Sequence, residues 1–342
     1  MPAHRKALTA LVLHLQHSQS RDTAALFHLD PSTKGRLLKI VDKNAIEKVL
    51  DYPSLINALR EGFKSDISAP VRHHHDIKNP KEGVDSTLLI MPAWEESEVL
   101  GIKLVTVSPN NSKYNLPSIN GLYLLFDAHK GDVVAVMDAK ALTAKRTAAA
   151  SALASSYLSR KDANSMLMVG TGNLSCELIL AHASVRPINR VYVWGRDLQK
   201  AEKIVAQLRD RFTIEAVKNI DDAVSEVDII SCATLSRDPL ISGKLLQDGQ
   251  HIDLVGSFKP DMREADDEVQ KRTDIYIDTP VALKESGDLI GLNGEDISAD
   301  LYQLAKGDHG GRSDDRQITL FKSVGHALED LVAAKLVKER LP

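Results

Sequence analysis

The sequence predicts an α/β protein in which a doubly wound parallel sheet is joined to a second, mostly antiparallel sheet. Three stretches predict it. In residues 165–196, SMLMVGTGNLSCELILAHASVRPINRVYVWGR, an apolar run, a Gly-x-Gly turn, an apolar-periodic segment (Leu174–Ala183) and a second apolar run (Val191–Trp194) read as strand, turn, helix and strand. Alternating strand and helix signals continue through 213–217, 227–232, 251–255 and 274–278, and such alternation builds a parallel sheet. Upstream, strand-like runs at 71–77, 86–92, 99–108, 119–127 and 133–138 are separated by turn signals such as Asn79-Pro80, Asn110-Asn111 and Lys130-Gly131-Asp132.

In chain order, residues 1–36 are basic and apolar at first but broken by His14, Gln16 and His17, with no clear small-residue cleavage site. They read as a frayed extension or the product of an upstream start codon. Leu38–Val41 reads as a short strand. Asp42 then caps a helix over 43–50, and Tyr52–Lys64 is a second helix with Leu55, Ile56, Leu59 and Phe63 on one face. After the antiparallel strands, Ala139–Ser159 is rich in alanine and other small residues, a strong helix former that can lie close to a neighbour. Thr319–Val337 reads as one long helix that returns to the first sheet. That return makes the first domain discontinuous, residues 37–142 with 315–342, around a dinucleotide-binding Rossmann domain at 143–314.

The glycine turn carries the first functional expectation. Gly170 permits a sharp turn, Gly172 lets backbone approach a pyrophosphate, and Ser175 stands at the third small position of G-x-G-x-x-G/A. Asn173 and Leu174 follow at the helix N-terminus, whose free N–H groups suit a phosphate. At the end of the second strand an acidic residue would accept from an NAD ribose, whereas arginine accommodates a 2′-phosphate. Gly195 and Arg196 stand there, which favours NADPH over NADH. Asp197 follows directly and a one-residue shift would bring its carboxylate to the ribose; alternatively Arg196 is a solvated residue at a helix start.

With 342 residues, 43% hydrophobic and 26% charged, the chain can bury two cores, since single cores stop growing near ~250–300 residues. A formal charge of -4 gives no electrostatic reason to expect nucleic acid or an anionic membrane as partner. No apolar run approaches the ~20 residues of a membrane span. Cys176 and Cys232 lack metal spacing and fall in core-like positions, which fits a reducing cytoplasm.

Six separated strings, PVRHHHDI (Pro70 to Ile77), GIKLVTVSPNN (Gly101 to Asn111), FDAHKGDVVAVMDAKALTAKRTAAASALA (Phe126 to Ala154), VGTGNLS (Val169 to Ser175), VGSFKPDMREADDE (Val255 to Glu268) and LFKSVGHALED (Leu320 to Asp330), together resemble the ornithine cyclodeaminase and mu-crystallin family in its order, from Leu37 to Val337. The resemblance implies an N-terminal sheet domain that makes the substrate pocket and a homodimer contact, and a Rossmann domain that holds NAD(P). It places Ser323-Val324-Gly325 near the nicotinamide. It also implies that Arg72, Lys103 and Arg146 hold the substrate's carboxylate, with Lys103 close to the reacting centre.

The residues themselves agree with that assignment. Arg146 lies among alanines and threonines on a helix expected to be buried, with no acidic residue at i±4. A buried cation is costly unless paired, so an anionic ligand is its natural counter-charge, and its planar fork suits a carboxylate. His73, His74 and His75 present two ring faces on one strand side without a third ligand at zinc spacing, so no metal site is expected. Asn110 and Asn111 are either turn formers or substrate contacts. Thr234, past an apolar strand, falls in the Rossmann ligand crevice, and Ser257 is a candidate substrate contact.

One departure within the family decides the expected reaction. Ornithine cyclodeaminases carry an aspartate two residues after the glycine of the segment that here reads Val255-Gly256-Ser257-Phe258. Phe258 offers an amine no carboxylate. A segment of this type resembles the ketimine reductases and mu-crystallin, and implies NAD(P)H-dependent reduction of Δ1-pyrroline-2-carboxylate to L-proline, with the six-membered Δ1-piperideine-2-carboxylate as a further substrate. The alternatives are an ornithine cyclodeaminase, an alanine or opine dehydrogenase, or a non-catalytic NADPH-dependent binding protein. Retention of Lys103 with both arginines argues against the last.

Overall fold

The computed structural model describes residues 38–341, and the extension expected at 1–36 lies outside the described residues. Strand β1 (Lys39–Val41) leads into α1 (Lys43–Val49) and α2 (Tyr52–Lys64). Asp42 and Asp51 cap these helices by accepting from the N–H groups of Ala45 and Ser54, each at 2.9 Å. Helix α2 buries Leu55, Ile56, Leu59 and Phe63, the stripe its spacing marks out. Strands β2 (His73–Ile77), β3 (Ser86–Glu95), β4 (Val99–Val107), β5 (Ile119–Asp127) and β6 (Val133–Asp138) follow. They form a six-stranded sheet in the order β1-β6-β5-β4-β3-β2, antiparallel except for the parallel pair β1 and β6. On β4 the inward-facing residues are Val99, Gly101 and Lys103. Two-residue alternation therefore carries the strand's lysine into the interior.

Helix α3 (Ala139–Leu158) begins at Asp138, which accepts from the Ala141 N–H at 2.7 Å, and is buried without a break from Arg146 to Ser155. Its alanines let it pack against α2 and against strands of both sheets. The second sheet is built from β7 (Ser165–Val169), α4 (Ser175–Val185), β8 (Arg190–Trp194), α5 (Leu198–Leu208), β9 (Thr213–Val217), α6 (Asp221–Val224), β10 (Ile229–Cys232), β11 (His251–Leu254), α7 (Asp267–Arg272), β12 (Asp274–Ile277), α8 (Ala282–Glu285), β13 (Ile297–Asp300), α9 (Leu301–Lys306), β14 (Thr319–Lys322) and α10 (Ala327–Arg340). Its eight strands are all parallel, in the order β13-β12-β14-β11-β10-β7-β8-β9. Met166 and Met168 of β7 join the core shared with α3 and the first sheet, whereas Leu167 and Val169 join the core of the opposite face. Burial on both faces is why this strand reads as an unbroken apolar run.

The expected single helix over Thr319–Val337 is not what forms. Thr319–Lys322 is β14, paired on one side with β11 and on the other with β12, and α10 starts only at Ala327. All four residues of β14 are buried, so no alternation distinguishes this strand from a buried turn of helix. Gly325, with φ 82°, breaks the path between them. The return to the first sheet therefore begins after Lys322, where α10 packs on α2, β3 and β4. Among the described residues no helix is long and apolar enough to cross a membrane.

Candidate active site

The glycine turn between β7 and α4 has the geometry its sequence implies. Gly170 has φ 123°, and a Cβ there would stand 2.6 Å from the Ala233 carbonyl oxygen, so only glycine fits. A Cβ on Gly172 would meet no protein atom within 4 Å, so that side of the turn is open to a ligand. Ser175 is buried and donates to the Gly170 carbonyl at 2.9 Å, pinning the helix to the turn. No side chain caps α4, which leaves its N-terminal N–H groups to the open side. The residues present therefore fit a dinucleotide's pyrophosphate. At the far end of β8, Arg196 is exposed, while Asp197 caps α5 by accepting from the Gln199 N–H at 3.0 Å.

A cavity of about 540 Å³ runs from this turn to the first sheet. Arg72, Lys103, Arg146, Asn173, Leu174, Thr234, Ser323 and Val324 all line it. Arg72 stands one residue before β2, not within a strand, and donates through Nη2 to the carbonyls of Val324 and Gly325 at 2.8 and 2.7 Å. Asp278, just past β12, grips the same loop from the other side. Its Oδ2 accepts from Ser323 Oγ and from the N–H groups of Val324 and Gly325 at 3.0, 2.7 and 2.7 Å. A Cβ on Gly325 would come within 2.7 Å of Arg146 Nη1, so the loop must lie close to that guanidinium.

The counter-charge expected from a ligand is already supplied by the chain, a correction to the reading of Arg146 as lacking an acidic partner. Arg146 is 4% exposed and donates through Nε to Asp330 at 3.0 Å and through Nη1 to Glu329 at 2.5 Å. Lys103, 3% exposed, pairs with the other Asp330 oxygen at 2.6 Å, and Arg72 pairs with Glu285 at 3.0 Å. Local spacing along α3 could not show these partners, because Glu329 and Asp330 lie 183 and 184 positions away in the chain. Burial, with the nearby Arg146, pushes the Lys103 ammonium down to about 8 against the pull of Asp330. Burial would raise Asp330, but Arg146 and Lys103 outweigh it and hold that carboxyl below its ordinary range. Glu329 goes the other way: burial pushes it up to about 7 despite Arg146.

Ser257 is the expected substrate contact that the structure does not bring to the cavity. Its hydroxyl is fully buried and is used by Ser286 Oγ, at 2.8 Å, and by Asp288. Its neighbour Phe258 does line the cavity, as do Leu89, Met91, Val105 and Val255, and packs against the core of the parallel sheet. Asn110 and Asn111 act as loop formers, donating to the carbonyls of Glu82 and Pro117 at 2.9 and 2.8 Å. His73, His74 and His75 lie on the exposed strand β2.

Sequence reasoning also missed Glu264. Its Oε1 accepts from the N–H and hydroxyl of Thr234 at 2.7 and 2.8 Å, and its Oε2 from the Gly256 N–H at 2.7 Å. It thereby ties together the loops that follow β10 and β11. The string READDE gives no signal that singles Glu264 out, because an acidic run leading into helix α7 reads as solvated surface.

Comparison with known proteins places this arrangement. The profile of the Ornithine cyclodeaminase/mu-crystallin family matches residues 38–342. The chain is 38% identical over 317 residues to Protein SAR DEFICIENT 4 of Arabidopsis thaliana, covering 87% of this chain and 96% of that one. It is 35% identical over 315 residues to the Delta(1)-pyrroline-2-carboxylate reductase of Colwellia psychrerythraea, covering 89% and 99%. Among solved structures, Thermococcus litoralis Delta(1)-pyrroline-2-carboxylate reductase in complex with NADH and L-proline superposes with a TM-score of 0.82 at 31% identity, covering 88% of this chain and 96% of that one. The chain belongs to the ornithine cyclodeaminase/mu-crystallin family.

Proposed function

We propose that this chain is an NAD(P)H-dependent reductase of cyclic ketimines, and that it converts Δ1-pyrroline-2-carboxylate to L-proline. The observation that carries the reading is the single cavity that joins three cations, Arg72, Lys103 and Arg146, to the glycine-turn residues Asn173 and Leu174 and to the apolar face of Phe258. The names of the relatives that match over nearly their whole length support it. The turn at Gly170 and Gly172 and the uncapped start of α4 would hold a dinucleotide's pyrophosphate, and that cofactor would supply the hydride. Arg72, Lys103 and Arg146 hold the substrate's carboxylate and so fix the ring's position, and positioning is the main contribution a protein can make to such a transfer. The Lys103 ammonium, lowered to about 8 by burial and kept in place by Asp330, would give its proton to the ring nitrogen as hydride adds to the C=N carbon, leaving a neutral lysine to be reprotonated from solvent. Phe258 and its apolar neighbours cover the ring's flat face and exclude water.

A panel assay tests this reading. The purified protein should oxidise NADPH or NADH with Δ1-pyrroline-2-carboxylate, and with Δ1-piperideine-2-carboxylate at a lower or similar rate. Faster turnover with pyruvate plus ammonia than with either ring would replace the assignment by an amino-acid dehydrogenase.

The remaining features of the reading are finer. NADPH is the preferred coenzyme, because Arg196 is exposed at the end of β8 while Asp197 is occupied as a helix cap. Arg196→Ala should raise the KM for NADPH about tenfold, the equivalent of ~1.4 kcal/mol for a charge-assisted contact near solvent, and leave that for NADH nearly unchanged. Equal changes for both coenzymes in steady-state kinetics would assign ribose recognition elsewhere. The two sheets divide the work, with the antiparallel one forming the substrate side and the parallel one the coenzyme side. Exposed Tyr114, Leu116 and Leu122 on and beside β5 support a homodimer through the first sheet, and two free cysteines support a reducing cytoplasm.

A further inference from the structure

We propose that Glu329 takes up a proton when the substrate's carboxylate enters the cavity, so that substrate and proton bind together. The inference rests on the reading of the cavity as a cyclic imino-acid site. Its basis is a count of charge. Arg72 is matched by Glu285, while Arg146 and Lys103 are matched by Glu329 and Asp330 together. Lys140, the other cation lining the cavity, is exposed at its rim. Asp278 adds a fourth carboxylate near Arg146 and Glu329, so the three cations are more than matched before any ligand arrives. A substrate carboxylate would add one unmatched negative charge to a desolvated site, which is costly.

Of the four carboxylates around the cations, Glu329 is the one placed to accept the proton. Asp278 is solvated by one hydroxyl and three backbone N–H groups. Asp330 lies between two cations, and Glu285 is partly open to solvent beside Arg72. Glu329 is fully buried, has Arg146 as its one cationic contact, and its Oε1 has no hydrogen-bond partner. Asp278 beyond β12 and Asp330 on α10 disfavour its charge, Tyr302 on α9 is neutral, and His326 at the start of α10, stacked edge-on against Tyr302, is kept neutral by burial, which holds its imidazole down to about 4. Burial already holds it near 7. Protonation of Glu329 would release Arg146 from one of its two carboxylates and turn that charge toward the ligand.

The sign follows from linkage. A ligand that favours protonated Glu329 binds less tightly as pH rises through about 7, by at most about tenfold per pH unit. The probe is pyrrole-2-carboxylate, a flat five-membered monoanion with no basic nitrogen, titrated calorimetrically into the NADPH-bound protein in two buffers of different ionisation enthalpy. Near pH ~7.5 about half to three-quarters of a proton should be taken up per ligand, since about a quarter of Glu329 is already protonated there. Glu329→Gln, whose amide matches the protonated acid in shape, should bind the probe with no uptake and a Kd nearly flat between about pH 6.5 and 8.5. A merely structural role for Glu329 would weaken binding at every pH. Should Glu329→Gln fail to fold, infrared difference spectra of the wild type should show a protonated carboxyl band appearing on ligand binding, and its absence would overturn the proposal. Tight binding without proton uptake overturns it while leaving the site intact, and uptake that persists in Glu329→Gln assigns the proton elsewhere. Failure of the wild type to bind the probe overturns the site reading and this inference with it.

Discussion

Arg146→Ala should lower kcat/KM for Δ1-pyrroline-2-carboxylate by about two to three orders of magnitude and destabilise the protein in the same step. Arg146 is buried on α3 between Glu329 and Asp330. Truncating it removes a cation from the carboxylate site and leaves two buried carboxylates with Lys103 alone. Losing one partner of a desolvated charge pair costs ~2–5 kcal/mol, and 1.36 kcal/mol corresponds to a decade in rate. The stability loss, ~3–5 kcal/mol where a buried charge is left unmatched, would be read by urea unfolding. The two effects can be separated. Arg146→Met combined with Glu329→Gln removes one cation and one anion, so it should recover most of the stability and none of the activity. A variant of that pair with near wild-type turnover would remove Arg146 from the substrate site, and so would a fall of less than tenfold in the single variant.

How much of this was legible in the sequence depended on whether the deciding contacts were local. The turn at Gly170-Thr171-Gly172 is a local device, and its strand, helix and second strand follow on schedule, so β7, α4 and β8 were readable to within a residue or two. Arg72, outside any strand, stood out only through its string PVRHHHDI, whereas Lys103 and Arg146 could be picked out because a cation is conspicuous on an inward strand position or a buried alanine-rich helix. Their partners were not, since Glu329 and Asp330 stand in ALEDLVAA, a stretch whose acidity reads as the solvated side of a helix. Only the return of α10 beneath α3 turns that side inward. β14 was missed for a related reason. Four residues buried on both faces have no period of their own, and the helix that follows lends them its pattern. Ser257 shows the converse: a polar residue in the right loop, turned away from the cavity because Asp288 and Ser286 claim its hydroxyl.

The choice between closing a ring and reducing one already closed turns on Phe258. Making proline from ornithine requires oxidation at the α-amine and then attack by the δ-amine, and a carboxylate in the pocket can steer both amines. Phe258 holds that place in the cavity, half-buried, against the apolar core of the parallel sheet. A phenyl ring can cover the flat face of a pyrroline but cannot hold an ammonium. The wild-type protein should therefore release no ammonia from L-ornithine with catalytic NAD, under conditions where it oxidises NAD(P)H with Δ1-pyrroline-2-carboxylate. Phe258→Asp should lower the reductase kcat/KM by about one to two orders of magnitude. The new carboxylate would replace a ring that packs against the apolar core of the parallel sheet, with no added cation, and an unpaired polar group in such a place costs ~1–3 kcal/mol. It should not create a cyclodeaminase by itself, because the remaining wall is still shaped for an apolar ring. Steady formation of ammonia and proline from ornithine by the wild type, measured by coupled assay and amino-acid analysis, would show that ring closure needs no carboxylate here and would overturn the reductase assignment.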